Sequence, residues 1–255
     1  MLESYLDKRI KEKKILLMTH IVLGHPTFED SLRIIEAMVE AGVDLMELQI
    51  PFSEPIADGP VILHANQRSL QGGATVRKCF AYAEKAGRLF DIPFLFMSYY
   101  NILFKFGVEK FAEKMVECNI KGAIVPDLPP EEGNDYIQAM NRFDLSPIFL
   151  FSPTTTDSRM KYIASFGRGF IYCVARKGVT GMTTDFSDHL ETYLDRCRKA
   201  SNLPLALGFG VTEKKDIDFL KGKTDIAVIG SHTIRLIEEK GVGAVKPFIK
   251  SLREG

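Results

Sequence analysis

Three carboxylates fall close together in Glu47-Leu48-Gln49-Ile50-Pro51-Phe52-Ser53-Glu54-Pro55-Ile56-Ala57-Asp58-Gly59-Pro60. Glu47 sits inside an apolar run, between Met46 and Leu48, where an ionised carboxylate is costly unless it is paired or its pKa is raised. A raised pKa is what a general acid or base requires. Asp58 follows eleven residues later, in a stretch bounded by Pro and Gly that can fold back toward the strand it left. Two carboxylates in different surroundings can divide acid and base work. The plainer alternative is that Glu47 pairs with a neighbouring cation and Asp58 serves a turn.

Two small-residue tracts, Gly208-Phe209-Gly210 and Gly230-Ser231, each follow an apolar run, and the second leads straight into a helical pattern. Backbone N–H groups in such loops and at a helix N-terminus bind phosphate, although each Gly pair alone also suits a tight turn. The tract Arg176 to Asp185 is long, polar and Gly-bearing, as a lid closing on substrate would be; a disordered connection is the alternative. Tyr172 lies just before it, its hydroxyl directed either inward or among helices. His20 and His25 flank the first loop and read as packed or exposed side chains. His64, His189 and His232 have no metal-ligand spacing. Cys79, Cys118, Cys173 and Cys197 fit neither a metal motif nor a small disulfide scaffold and read as reduced core thiols.

The elements that must position these residues alternate. Apolar, β-branched runs occur at Leu16–Val22, Leu45–Ile50, Pro93–Met97, Gly122–Val125, Pro147–Phe151, Phe170–Val174, Pro204–Leu207 and Ile226–Ile229. Helical periodicity separates them, at Phe28–Ala41, Val108–Cys118, Glu131–Phe143, Phe186–Ala200, Glu213–Leu220 and His232–Leu252, after a polar opening helix at Glu3–Lys14. The strand runs are near-continuously apolar, as strands covered on both faces are. Eight such units in 255 residues predict an α/β fold, a (β/α)₈ TIM barrel with an extra N-terminal helix. A doubly wound sheet is the rival, and the strand–GxGxxG–helix opening it would show is missing. In a barrel the loops after the strands' C-terminal ends carry the chemistry, and the seventh and eighth hold phosphate. The tracts Val125–Pro130 and Pro153–Asp157 read as structural, with Pro130 near a helix N1 position and Thr156 or Asp157 as a cap.

The chain carries 33 basic and 33 acidic residues, so no global field draws a nucleic acid or an anionic membrane. The early apolar run Ile15–Leu23 is broken by Thr19 and His20, too short to span a membrane. A single domain, residues 1–255, in the cytoplasm is the expectation.

The stretches Glu47-Leu48, Pro51-Phe52-Ser53, Ala57-Asp58-Gly59-Pro60, Ile124 to Pro129, Pro153 to Asp157, Gly178-Val179-Thr180-Gly181, Gly208-Phe209-Gly210 and Gly230-Ser231 together resemble the tryptophan synthase alpha subunit family, in family order over nearly the whole chain. The resemblance implies retro-aldol cleavage of indole-3-glycerol phosphate to indole and glyceraldehyde 3-phosphate, without metal or cofactor. It also implies a beta subunit that consumes the indole, in an alpha2-beta2 assembly. It makes Glu47, Asp58 and Tyr172 the catalytic residues. Gly178, Phe209, Gly210, Gly230 and Ser231 become phosphate-loop residues, and Thr180 a lid residue that meets Asp58. Four positions depart from the family pattern: Gln49 for Gly, Glu54 for Asp, His25 for the Asp of Gly-Asp-Pro, and His20 for an aromatic of the indole pocket. The alternative is a weakened subunit whose main task is to bind and activate its beta partner. Another sugar-phosphate barrel would keep the fold but discard the second-loop motif.

Overall fold

Strands buried on both faces need side chains that tolerate an apolar setting at every position, and the runs rich in Leu, Ile, Val, Phe and Met supply them. In the computed structural model, which describes residues 1–175 and 183–253 (for 183–188 the backbone only), they form β1 (Leu16–Val22), β2 (Leu45–Gln49), β3 (Phe94–Met97), β4 (Ile120–Ile124), β5 (Ser146–Phe151), β6 (Ile171–Val174), β7 (Leu205–Gly208) and β8 (Ile226–Ile229). Each pairs in parallel with the next, and β8 pairs with β1, closing the barrel.

The helices are α1 (Leu2–Glu12), α2 (Phe28–Glu40), α3 (Pro60–Gln71), α4 (Val76–Leu89), α5 (Tyr100–Phe106), α6 (Val108–Glu117), α7 (Asn134–Arg142), α8 (Asp157–Ala164), α9 (Thr183–Ala200), α10 (Lys214–Leu220), α11 (Ser231–Lys240) and α12 (Val245–Ser251). Thr27, Thr75 and Thr156 start α2, α4 and α8 by accepting a hydrogen bond from the amide three residues on, which satisfies an otherwise orphaned donor. The expected helix His232–Leu252 is two helices. Gly241, at φ +76, ends α11, and a 3₁₀ turn at Val242–Ala244 leads to α12. Pro130 is not at N1 of α7 as expected. Glu132 N–H donates to Pro129 O (3.1 Å) and Gly133 N–H to Pro130 O (3.2 Å), so consecutive turns precede a helix that begins at Asn134.

Side chains alternate across each strand and divide the core in two. Outward residues such as Leu17, Met46, Leu48, Phe96, Phe149, Cys173 and Leu207 pack against the helices. Inward residues, among them Leu16, Met18, Leu45, Leu95, Ile148, Phe170, Ala206 and Ile226, fill the barrel together with Leu2 and Leu6 of α1, which plugs its N-terminal end. The inward rows continue with the same period of two, so Leu16 and Met18 lead to His20, Leu45 leads to Glu47 and Gln49, and Phe170 leads to Tyr172. The filling thus turns from apolar to polar at the C-terminal mouth. All four cysteines are buried and unbridged.

Candidate active site

The β1–β2 register sets His20 opposite Glu47. His20 Nδ1 lies 3.0 Å from Glu47 Oε1, with both side chains buried. Tyr172 reaches across from β6 and donates its hydroxyl to the same Oε1 at 3.4 Å. Of the two directions open to Tyr172, the inward one is taken. Its ring lies against Gly208, where a Cβ would stand 3.3 Å from Tyr172 Cε1, so a larger residue would press on the phenol. Glu47 Oε2 is buried and has no hydrogen-bond partner among the described residues. Glu47 is therefore paired through one oxygen and free through the other.

Asp58 is brought back over the mouth by the loop after β2. Ile50 N–H donates to Met97 O (2.9 Å), Phe52 N–H to Asn66 Oδ1 of α3 (2.8 Å), and Ala57 N–H to the hydroxyl of Tyr99 (3.1 Å). Phe52 stacks on Tyr99, with ring centroids 5.2 Å apart. The loop is thus fastened to the end of β3 and to α3. Asp58 Oδ2 then accepts from Gln49 Nε2 (2.6 Å) and from the Tyr99 hydroxyl (3.1 Å). Burial, with the nearby Glu47 charge adding to it, raises the Asp58 carboxyl above its ordinary range, although His20, Gln49 and Tyr99 all oppose the rise. Burial alone would lower His20. The hydrogen bond and charge of Glu47, followed by the charge of Asp58 and the side chain of Gln49, outweigh it and raise the ring above its ordinary value. Burial, reinforced by Glu47, pushes the Tyr172 phenol well up, so its proton is held.

On the β7 and β8 side of the mouth, Gly210 sits at φ +80 with open space where a Cβ would be. Gly230 caps α11 without a side-chain cap, leaving the first-turn amides of Ser231 onward free of a competing side chain. The ring of Phe209 stacks on Phe219 of α10 (5.8 Å) and so faces the helix layer. Gly230 also packs toward His20, whose Cβ a Gly230 Cβ would meet at 3.5 Å, so the glycine loop and the carboxylates share one mouth. Of the lid expected at Arg176 to Asp185, residues 176–182, with Gly178 and Thr180, lie outside the described residues, and Thr183 to Asp185 belong not to a loop but to the first turn of α9.

Asp127 accepts from Tyr100 N–H with both oxygens (2.9 and 3.1 Å) at the start of α5, and Arg196 donates to Asp157 at 2.7 Å; both tracts read as structural are structural in these contacts. His25 Nε2 and His64 Nδ1 each stand 3.3 Å from Glu238 Oε1, away from the carboxylate pair. Sequence reasoning missed Tyr99, whose signal is parity, since it extends the inward row Leu95–Met97. It also missed that His20 is bonded to Glu47, which the register alone decides.

The match to the family model "Tryptophan synthase alpha chain" covers residues 6–252. A tryptophan synthase alpha chain of Desulforapulum autotrophicum is 64% identical over 99% of this chain and 100% of its own length, and one of Syntrophotalea carbinolica is 61% identical over 99% and 100%. Among solved structures, the tryptophan synthase alpha subunit of Legionella pneumophila superimposes with a TM-score of 0.91 at 27% identity, covering 99% of this chain and 96% of its own. The tryptophan synthase complex of Pyrococcus furiosus gives 0.85 at 27% identity, covering 93% and 97%. A shared sequence along nearly the full length and a shared barrel lead to one conclusion: the chain belongs to the tryptophan synthase alpha chain family.

Proposed function

We propose that Glu47, Asp58 and Tyr172 carry out, at this barrel mouth, the family's retro-aldol cleavage of indole-3-glycerol phosphate. The chain is a carbon–carbon lyase of tryptophan biosynthesis that yields indole and glyceraldehyde 3-phosphate. The carrying observation is the convergence of two carboxylates in unlike surroundings: Glu47 with one buried oxygen unbonded among the described residues, and Asp58 raised by burial.

Cleavage needs indole C3 protonated, the ring N–H stabilised as it becomes positive, and a base for the glycerol hydroxyl that becomes the aldehyde. Glu47, deep in the mouth, gives the proton to C3 and takes the hydroxyl proton, while Asp58, nearer solvent on its loop, faces the indole nitrogen. Tyr172, bonded to Glu47 Oε1, keeps that carboxylate aimed and contributes a hydroxyl near the cleaved bond. The phosphate rests on the amides of Gly178, Phe209, Gly210, Gly230 and Ser231, and Thr180 closes over Asp58. The glycine loops reach the mouth from the side of β7 and β8, so a phosphate bound there projects the rest of the substrate toward His20 and Glu47.

The partner in this reading is a beta subunit, in an alpha2-beta2 assembly. Supporting it, Ile56 and Phe104 are large apolar side chains 81% and 64% exposed, in the segments that follow β2 and β3. Glu54 sits in the same loop as Ile56. We further read residues 1–255 as one domain acting in the cytoplasm; among the described residues no helix is long and apolar enough to cross a membrane. Steady-state release of indole from indole-3-glycerol phosphate, with and without a beta subunit from the same source, tests the function. Turnover that rises with the partner is expected. Absence of indole release at saturating substrate and partner would overturn the reading.

A further inference from the structure

His20 is buried, inward-facing and bonded to the residue read above as the proton carrier. Its Nδ1 meets Glu47 Oε1 at 3.0 Å, while its own Nε2, and Glu47 Oε2, are buried without a hydrogen-bond partner among the described residues. A buried polar ring with only Nδ1 hydrogen-bonded among the described residues is expensive as mere filling, even at the polar mouth where the Gln49 side chain also acts on it. We propose that His20 is a positioning residue for the lyase: it holds Glu47 by Oε1, keeps Oε2 turned to the substrate, and shares with Glu47 the one proton that the reaction moves.

The electrostatics favour such a pair. With one proton between them, imidazolium with carboxylate and imidazole with carboxylic acid both have zero net charge, so moving the proton from ring to carboxyl changes little in desolvation. The titratable groups facing the ring are Glu47 on β2 and Asp58 on its loop. Tyr172 on β6 is reached through Glu47, and Gly230 at the end of β8 brings no charge. Both carboxylates favour retention of the ring's proton against burial. In the reaction the pair gives its proton to indole C3, forming the C3–H bond. The bond from C3 to the carbinol carbon then breaks with its electron pair returning to the indole ring, the aldehyde forms, and the hydroxyl proton goes back to the pair. The pair ends as it began.

Gln49 gives Asp58 a matching support. Its Nε2 donates to Asp58 Oδ2 at 2.6 Å from the same inward row of β2. Each carboxylate is thus held by a side chain from β1 or β2, and the two holders stand on adjacent strands.

This inference rests on Glu47 as the proton carrier, so the test includes Glu47→Gln beside two variants of His20. In His20→Asn the amide replaces the Nδ1 donor but cannot titrate. In His20→Phe both the donor and the proton are lost. The kcat/KM of the wild-type protein with its beta subunit should fall on the alkaline side as the pair loses its proton, above the ordinary histidine value of 6.5. In His20→Asn that fall should move to lower pH, with kcat about tenfold or more below wild type at pH 8 and KM nearly unchanged. At acid pH His20→Asn should recover much of the kcat that His20→Phe lacks, with folding of both followed by circular dichroism. If Glu47→Gln is inactive while His20→Asn keeps the wild-type alkaline limb, the role of His20 is wrong and the function stands. If Glu47→Gln turns over normally, the reading of Glu47 fails and takes this inference with it.

Discussion

Two buried carboxylates three residues apart, Asp44 just before β2 and Glu47 in the middle of it, are built in opposite ways. Asp44, just before the strand, is fully buried at the N-terminal end of the barrel. It accepts from Leu17 N–H (2.9 Å), Arg9 (3.1 Å), Lys13 (2.5 Å) and Arg253, while its backbone carbonyl accepts from Tyr5 (2.6 Å). One carboxylate thereby ties α1, β1 and the C-terminal segment together. Burial would raise it, but Lys13, the Leu17 amide and Arg253 outweigh burial and hold it below its ordinary value. Three residues later, Glu47 has a histidine and a tyrosine on one oxygen and, among the described residues, no hydrogen-bond partner on the other, and Asp58 is raised. Every proton-accepting site of Asp44 is spent on structure. At the mouth, bonding stops short of saturation, and the unspent oxygen is what a substrate can use.

The sharpest way to break this contrast is to neutralise each carboxylate in turn. Glu47→Gln and Asp58→Asn should each lower kcat for indole release by about 10²–10⁴-fold with the fold retained, because each removes a proton-transfer or charge-stabilising group. Asp44→Asn should leave kcat per folded molecule nearly unchanged; an equal loss of kcat there would erase the distinction.

The same Asp44→Asn change should instead cost about 3–5 kcal/mol of stability in urea unfolding, since it strands three cations around a neutral group. Retention of wild-type stability would show that Arg9, Lys13 and Arg253 find equivalent partners elsewhere.

The smallest expected effect concerns pH. Asp44 is held low, so its stabilisation is full above about pH 4, the ordinary aspartate value, and is lost as pH falls through the lowered one. Asp58 is raised and has the opposite sign: its cost is present at neutral pH and fades as it takes up a proton on acidification. Asp58→Asn should therefore raise Tm at pH 7 by at most about 2–4 °C, the shift that 1 kcal/mol brings at this chain length. The gain should shrink toward pH 4. A lower Tm at pH 7 would mean that the Gln49 and Tyr99 contacts to Asp58 stabilise more than its burial costs.

Strands were the most legible elements, because residues buried on both faces leave an uninterrupted apolar run. Helix α3 was not among the helical segments read from the sequence, and its buried face explains why: Ala65, Asn66 and Ser69 point inward, with Asn66 holding Phe52 N–H and Ser69 donating to Leu23 O (2.6 Å). A helix that buries polar groups to anchor loops carries no clear apolar stripe. At the site, Glu47 and Asp58 were readable as a motif and the glycine tracts as an anion cradle. Tyr99 was not, because its hydroxyl matters only where a loop from β2 lands on the end of β3.

By itself the chain determined the number and order of its strands, the closure of a barrel, the family and the residue types able to move protons, because these follow from hydrophobic period and local motif. Which side chains touch was decided by the tertiary structure alone. The stagger of β1 against β2 makes His20 a partner of Glu47, the return of the loop puts Asp58 on Gln49 and Tyr99, and the barrel's closure brings Tyr172 across to Glu47 from 125 residues away. Interstrand register and loop closure are sums over many distant contacts. The charge state of a buried group follows from those contacts, and no window of neighbouring residues contains them.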